Sequence, residues 1–94
     1  MKIELKCGFT CEVKDEAFDD YRVAKLLNQM QNGGASGTLA GMVGIITRVL
    51  GEDQEEELIA YLENHSENGI AKSSTMEDII VEITEVLMEA KKNT

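Results

Sequence analysis

The sequence predicts a mainly α fold: a four-helix domain with a small N-terminal β-hairpin. Three observations carry this expectation. Apolar residues alternate strictly over residues 3–13, the period of a strand with one buried face. Beyond residue 15 the apolar spacing lengthens to the i, i+3, i+4, i+7 pattern of amphipathic helices, in four successive stretches. The chain has 94 residues, of which 43% are hydrophobic, so a single domain over 1–94 with one core is expected.

The hairpin is expected at about residues 2–14. Ile3, Leu5, Cys7, Phe9, Cys11 and Val13 fall on one face, and Glu4, Lys6, Gly8, Thr10 and Glu12 on the other. Opposed residues of a hairpin share a face, so Leu5 should pair with Cys11 and Ile3 with Val13. That parity requires an odd loop, of three or five residues, centred on Gly8.

A first helix should span about 16–31. Asp15 offers an N-cap, and Glu16, Asp19 and Asp20 place negative charge near the positive end of the helix dipole. Val23, Leu26, Leu27 and Met30 make its apolar stripe, and Asn32, Gly33 and Gly34 should end it, with Ala35, Ser36 and Gly37 completing a loop. A second helix, about 38–50, has the most regular stripe: Leu39, Met42, Val43, Ile46, Val49 and Leu50. It is apolar nearly all round, with Arg48 its one charge, which marks a central helix.

Gly51 should cap that helix, and a third should run over about 52–65. Glu52, Asp53, Glu55, Glu56 and Glu57 crowd its start, while Leu58, Ile59, Leu62 and His65 face inward beside Tyr61. His65, the one histidine, reads as a helix-end residue rather than a catalytic one. Asn68-Gly69 signals a turn in the polar connection that follows, with Ile70 docking it on the core. A fourth helix is expected over about 75–91, opened by a capping box at Ser74 and Glu77 or, one residue on, at Thr75 and Asp78. Its apolar face is Met76, Ile79, Ile80, Ile83, Leu87 and Ala90, and Lys91 and Lys92 suit its C-terminal dipole.

Charge narrows the function. Nine basic against eighteen acidic residues give a net charge of −9. A nucleic-acid-binding module needs a basic stripe, and adsorption to an anionic membrane needs basic residues too, so neither partner is expected. The uncharged run 32–47 contains five glycines and stops at Arg48, short of the ~20 apolar residues of a membrane span. The opening MKIELK lacks the apolar core of a secretory leader, so a reducing compartment is expected. Cys7 and Cys11 with one distant histidine do not make a zinc site, which needs four ligands.

No enzyme is expected. The four serines lie in no G-x-S-x-G elbow, no P-loop is present, and Gly33-Gly34 follows a helix rather than a strand, against a dinucleotide-binding loop. The carboxylates fall at solvated-face spacings, calcium-loop spacing is absent, and no cofactor is implied. An acyl carrier would need Asp-Ser-Leu at a helix start, where Ser73-Ser74-Thr75-Met76 stands instead.

A protein-interaction module is what these exclusions leave. Apolar side chains exceed single-stripe needs, and the five methionines suit varied partner surfaces. Binding would use the outer face of the second helix, Gly41, Gly44 and Ile45, and the second face of the last, Val81 and Met88. The alternative for Gly41 and Gly44 is close backbone packing inside the domain.

The order of features resembles the short, non-frameshifted tail assembly chaperones of long-tailed, siphovirus-type phages and prophages of Gram-positive bacteria. The resemblance spans most of the chain. It rests on the strand pair Ile3-Glu4-Leu5-Lys6 and Phe9-Thr10-Cys11-Glu12-Val13, on Asp19-Asp20-Tyr21, and on a mid-chain apolar helix ending Leu50-Gly51-Glu52-Asp53-Gln54. A Leu-rich helix at 58–62, an Asn-Gly turn and the ending Ala90-Lys91-Lys92-Asn93 complete it. The resemblance implies a protein that binds the tape measure protein in the bacterial host cytoplasm, keeps its apolar helices from aggregating, and helps tail tube protein polymerise around it. It also implies absence from the mature virion, and a longer frameshifted form, for which Lys92-Asn93 would permit a slippery A-AAA-AAC. The competing reading is an acidic adaptor or antitoxin-like regulator that blocks a basic protein. A structural tail component, marked by self-association, is a third.

Overall fold

The computed structural model describes residues 1–92 of the chain, with the side chains of Lys91 and Lys92 not described. Asn93 and the side chains of the C-terminal lysine pair invoked above therefore lie outside the described part. The structure is 71% helix, with a two-stranded antiparallel sheet and three helices among the described residues.

Strand β1 (Lys2–Glu4) pairs with β2 (Thr10–Glu12), with Ile3 opposite Cys11. The expected register is thus displaced: the hairpin is centred on Cys7, not Gly8, and Leu5 faces Phe9 rather than Cys11. Leu5 N donates to Phe9 O and Gly8 N to Leu5 O, both at 2.9 Å. The loop is the three residues Lys6, Cys7 and Gly8, and Gly8 at φ 99° takes the left-handed position that closes such a loop. Parity survives the displacement, so Ile3, Leu5, Phe9, Cys11 and Val13 all reach the core, while Cys7 at the tip is exposed.

Helix α1 covers Tyr21–Asn32. It starts later than the charge pattern suggests because residues Ala17–Asp19 form a separate 3-10 turn and Asp20, not Asp15, is the cap. Asp20 Oδ1 accepts from Arg22 N at 2.8 Å, and its other oxygen lies 3.7 Å from Arg48 Nη1, linking the helix start to the next element. Val23 and Met30 are buried and Leu26 and Leu27 half-buried, the stripe expected.

Helix α2 runs over Gly34–Asn64 as one bent element, so the expected count of four helices is not confirmed. Residues 34–37, read as loop, are its first turn, and Gly51, the expected boundary between two helices, is a non-helical kink that joins two helical limbs. Gly51 sits at φ 81°, ψ 160°, a region open essentially to glycine alone. The bend is sharp. In a straight helix residues eight apart are separated by about 12 Å, yet Thr47 Oγ1 is 3.1 Å from Glu55 Oε1. Thr38 Oγ1 donates to Met30 O at 2.8 Å, satisfying a carbonyl left open at the end of α1. By length and composition α2 would qualify as a membrane span, a test that core helices also pass. It supplies nine buried residues, from Gly37 to Leu62.

Helix α3 covers Ser73–Lys92 and buries Ile79, Ile80, Ile83 and Leu87. It begins ahead of both capping-box registers, with Met76 N donating to Lys72 O at 3.1 Å, so Ser74 and Thr75 lie inside its first turn. One core joins all these elements, and its buried set is wholly apolar among the described residues.

Three side chains fasten the hairpin to the helices. Gln54 Oε1 accepts from Glu12 N at 2.6 Å, and its Nε2 donates to Glu12 O at 2.8 Å and to Leu50 O at 2.7 Å. One amide thus covers the outer edge of β2 and a carbonyl beside the kink. Tyr61 Oη donates to Cys7 O at 2.8 Å, and Lys6 N donates to Glu82 Oε2 at 2.9 Å.

Candidate functional site

The expected binding residues separate into two groups. Gly41 and Ile45 are buried, and Gly44 is half-buried. These three therefore form no outer face. A Cβ on Gly41 would lie 2.5 Å from Leu26 O and 2.7 Å from Met30 N, so this side of α2 is where α1 lies backbone to backbone. The close-packing account of these glycines is the one the structure supports, and Ile45 fills the core at 1% exposure. Val81 and Met88 are exposed on α3, but apart. Val81 sits beside Lys6, Cys7 and Glu82 near the hairpin loop, and Met88 lies over Phe18, Leu27 and Leu87 between α1 and α3.

A concavity of about 890 Å³ lies where the hairpin end, the 3-10 turn and the kink meet. Its lining is half polar, including Glu12, Glu16, Asp20, Arg48 and Gln54, and the last three are already engaged with one another's elements. A second concavity, about 360 Å³, gathers Cys7, Tyr61 and His65. His65 caps α2, stacks on Tyr61 at 4.0 Å between centroids, and its Nδ1 lies 2.8 Å from Tyr61 O. It is exposed, not inward-facing as the helical spacing suggested. These contacts tie the ring to the helix end. Cys11 is buried, and burial first, then the negative charge of the Cys7 thiolate, Glu82 and Glu12, pushes its thiol pKa up, against nucleophilic character. No group of three or more His, Cys, Asp or Glu side chains able to hold a metal occurs among the described residues.

An apolar concavity, about 430 Å³, lies in the angle that Gly51 opens between the two limbs of α2. One wall is Met42, Val43 and Ile46 from the first limb. The other is Ile59, flanked by Glu55 and Glu63 one turn away on either side, and Ile70, Ala71 and Met76 close the base. Val43 is 58% exposed and Ile70 53%. Leu39, one turn before Val43 and 50% exposed, extends the apolar strip past the mouth. Solitary exposed apolar residues are ordinary, whereas a continuous patch rimmed by polar groups marks an interaction surface.

Sequence reasoning assigned Leu39 and Val43 to the inward stripe and so missed this surface. The signal that identifies it is the glycine spacing. Gly33, Gly37, Gly41 and Gly44 recur at intervals of four, four and three, which puts them on one side of the helix. Positions 39 and 43 are each two residues from Gly41, about 160° around the helix. If the glycines face α1, Leu39 and Val43 must face away from it. No protein-family model, curated protein or solved structure matches the chain.

Proposed function

We propose that this chain is the short form of a tail assembly chaperone of a long-tailed phage or prophage. It acts in the host cytoplasm, holds apolar helices of the tape measure protein in a soluble state, and promotes assembly of tail tube protein around it. In this reading the two limbs of α2 count as separate helices of a four-helix domain. The observation that carries the proposal is the open apolar cleft on a chain of net charge −9. Its exposed side chains offer a client helix a place to bury its stripe, and the net charge keeps a protein with such a surface soluble. The motif order described above supplies the family, and the function carries no chemistry of bond making or breaking.

The test starts from the gene. A slippery heptamer at the codons for Lys92 and Asn93, an overlapping frame and a very long gene downstream are expected. Co-expression with the product of that long gene should then bring it into the soluble fraction, where expression alone leaves it insoluble. A partner equally insoluble with and without this chain refutes the proposal.

A further inference from the structure

We propose that the cleft between the two limbs of α2 takes up a single amphipathic helix whose apolar stripe is flanked by lysine or arginine. This rests on the chaperone reading for the identity of the client, and on the cleft alone for the client's chemistry. The walls offer aliphatic and thioether side chains from three segments: Met42, Val43 and Ile46, then Ile59, then Ile70 and Met76. No strand lines the cleft, so an extended peptide would find no sheet edge to pair with. Small-molecule sites orient their ligands with convergent polar groups. Here, among the described residues, the only charged ones in the lining are the two rim glutamates.

The elongated shape favours a helix, because Leu39 and Val43 continue the apolar strip along the first limb beyond the mouth. Anchors at i, i+3 or i+4, and i+7 would follow such a strip. Charge selects the flanks of that helix. Glu55 and Glu63 stand one turn to either side of Ile59 in the second wall. Glu52, Asp53, Glu56 and Glu57 add negative charge at the start of the same limb. Basic flanking residues meet this rim with favourable potential, whereas acidic ones are repelled. The same rim disfavours a second copy of this chain as the occupant, since it would set glutamate rims and two charges of −9 against one another.

The test uses the full 94-residue chain and labelled synthetic peptides of about 18 residues, roughly 27 Å of helix. One peptide has a leucine stripe flanked by lysines, one has glutamates in place of the lysines, and one is a scramble of the first. Fluorescence anisotropy should show saturable binding of the lysine peptide, with the glutamate and scrambled peptides weaker by at least about tenfold. Val43→Asp should weaken the lysine peptide by about tenfold or more, and Glu63→Lys by about threefold with a flatter salt dependence. Met88→Asp should leave it unchanged. Circular dichroism checks that each variant keeps its helix content.

Absence of binding, equal binding of the scramble, or indifference to Val43→Asp overturns the assignment. So does peptide-free self-association that Val43→Asp abolishes, since a second copy would then own the cleft. The two proposals fail separately. A tape measure protein solubilised equally by wild type and Val43→Asp overturns the cleft and leaves the chaperone role. Peptide binding to the cleft with no solubilised partner overturns the chaperone role and leaves the cleft.

Discussion

Gly41→Ala and Gly44→Ala are the same chemical change on the same helix, three residues apart, yet the structure assigns them different outcomes. At Gly41 the added methyl would stand 2.5 Å from Leu26 O, 2.7 Å from Met30 N and 3.0 Å from Met30 Cα. All three are backbone atoms of α1, so no rotamer change relieves them. Restoring an ordinary contact of about 3.5 Å means parting the helices by up to about 1 Å, enough to forfeit a quarter to a half of each dispersion contact across the seam. Overpacking against backbone that cannot yield falls in the upper part of the usual range, about 2–3 kcal/mol, and the gain in helix propensity from glycine to alanine offsets about 1 kcal/mol. The net expectation is a loss of about 1–2 kcal/mol. At Gly44 the methyl would meet Leu26 Cδ2 at 2.7 Å and Cδ1 at 2.9 Å, the far end of a half-buried side chain. Turning that side chain costs about 0.5–1.5 kcal/mol, which the same propensity gain cancels. Urea and thermal unfolding read the difference. Gly41→Ala should lower Tm by roughly 4–16 °C, at 4–8 °C per kcal/mol for a domain of this size, and Gly44→Ala should change it little. A Gly41→Ala protein as stable as wild type, or two variants equally impaired, would show that α1 and α2 are not in backbone contact at this seam.

Gly51→Ala puts an L side chain at φ 81°, ψ 160°. It should lower stability by about 1–3 kcal/mol, and an unchanged denaturation midpoint would argue against the kink. Tyr61→Phe removes the bond to Cys7 O and should cost about 1 kcal/mol while leaving the Phe9 contact at 5.6 Å between ring centroids in place; unfolding curves that superimpose on wild type would count against it. A maleimide should label exposed Cys7 in the native protein and buried Cys11 only on unfolding, as mass spectrometry of the peptides would show. Because the folded state raises the Cys11 pKa, its contribution to stability is full below the ordinary thiol range and is lost as pH rises through the folded value. Replacing Cys11 with alanine should therefore remove part of the alkaline fall in stability, and a pH profile of unchanged shape would refute this.

Much of the architecture was legible because it depends on period alone. The alternation over 3–13 announced a hairpin with its odd residues inward, as all but Cys7 at the loop tip are, and the stripes of α1 and α3 reached the core as their spacing required. What period cannot supply is a choice between equivalents. An odd loop centred on Cys7 buries the same residues as one centred on Gly8, and the structure differs because glycine takes the last loop position rather than the middle. Asp15 and Asp20 are both good caps, but Phe18, half-buried on the core, holds Ala17–Asp19 in a separate turn and leaves the role to Asp20. Glycine was the ambiguous signal. Gly33 and Gly37 look like loop, and Gly41 and Gly44 left an open groove and close packing both possible, when the spacing of the four seam glycines belongs to a helix pressed against its neighbour. The cleft inherited that ambiguity, since assigning the wrong side of α2 to the interior hid Leu39 and Val43.

The two facing walls of the cleft belong to the two limbs of α2, and the joint between them is a single residue. Anything that wedges against Val43 on one limb and Ile59 on the other exerts torque at Gly51. Occupancy and bend angle are then linked quantities: a guest that favours one angle narrows the range the joint samples, and a change at the joint alters affinity without touching the guest. Amide exchange across residues 52–64 would register the guest as added protection, and Gly51→Ala should shift guest affinity although its own side chain meets nothing within 4 Å. Molecules that must grip long, varied helices in succession gain from such a joint, because one small residue lets the same two walls open to different widths.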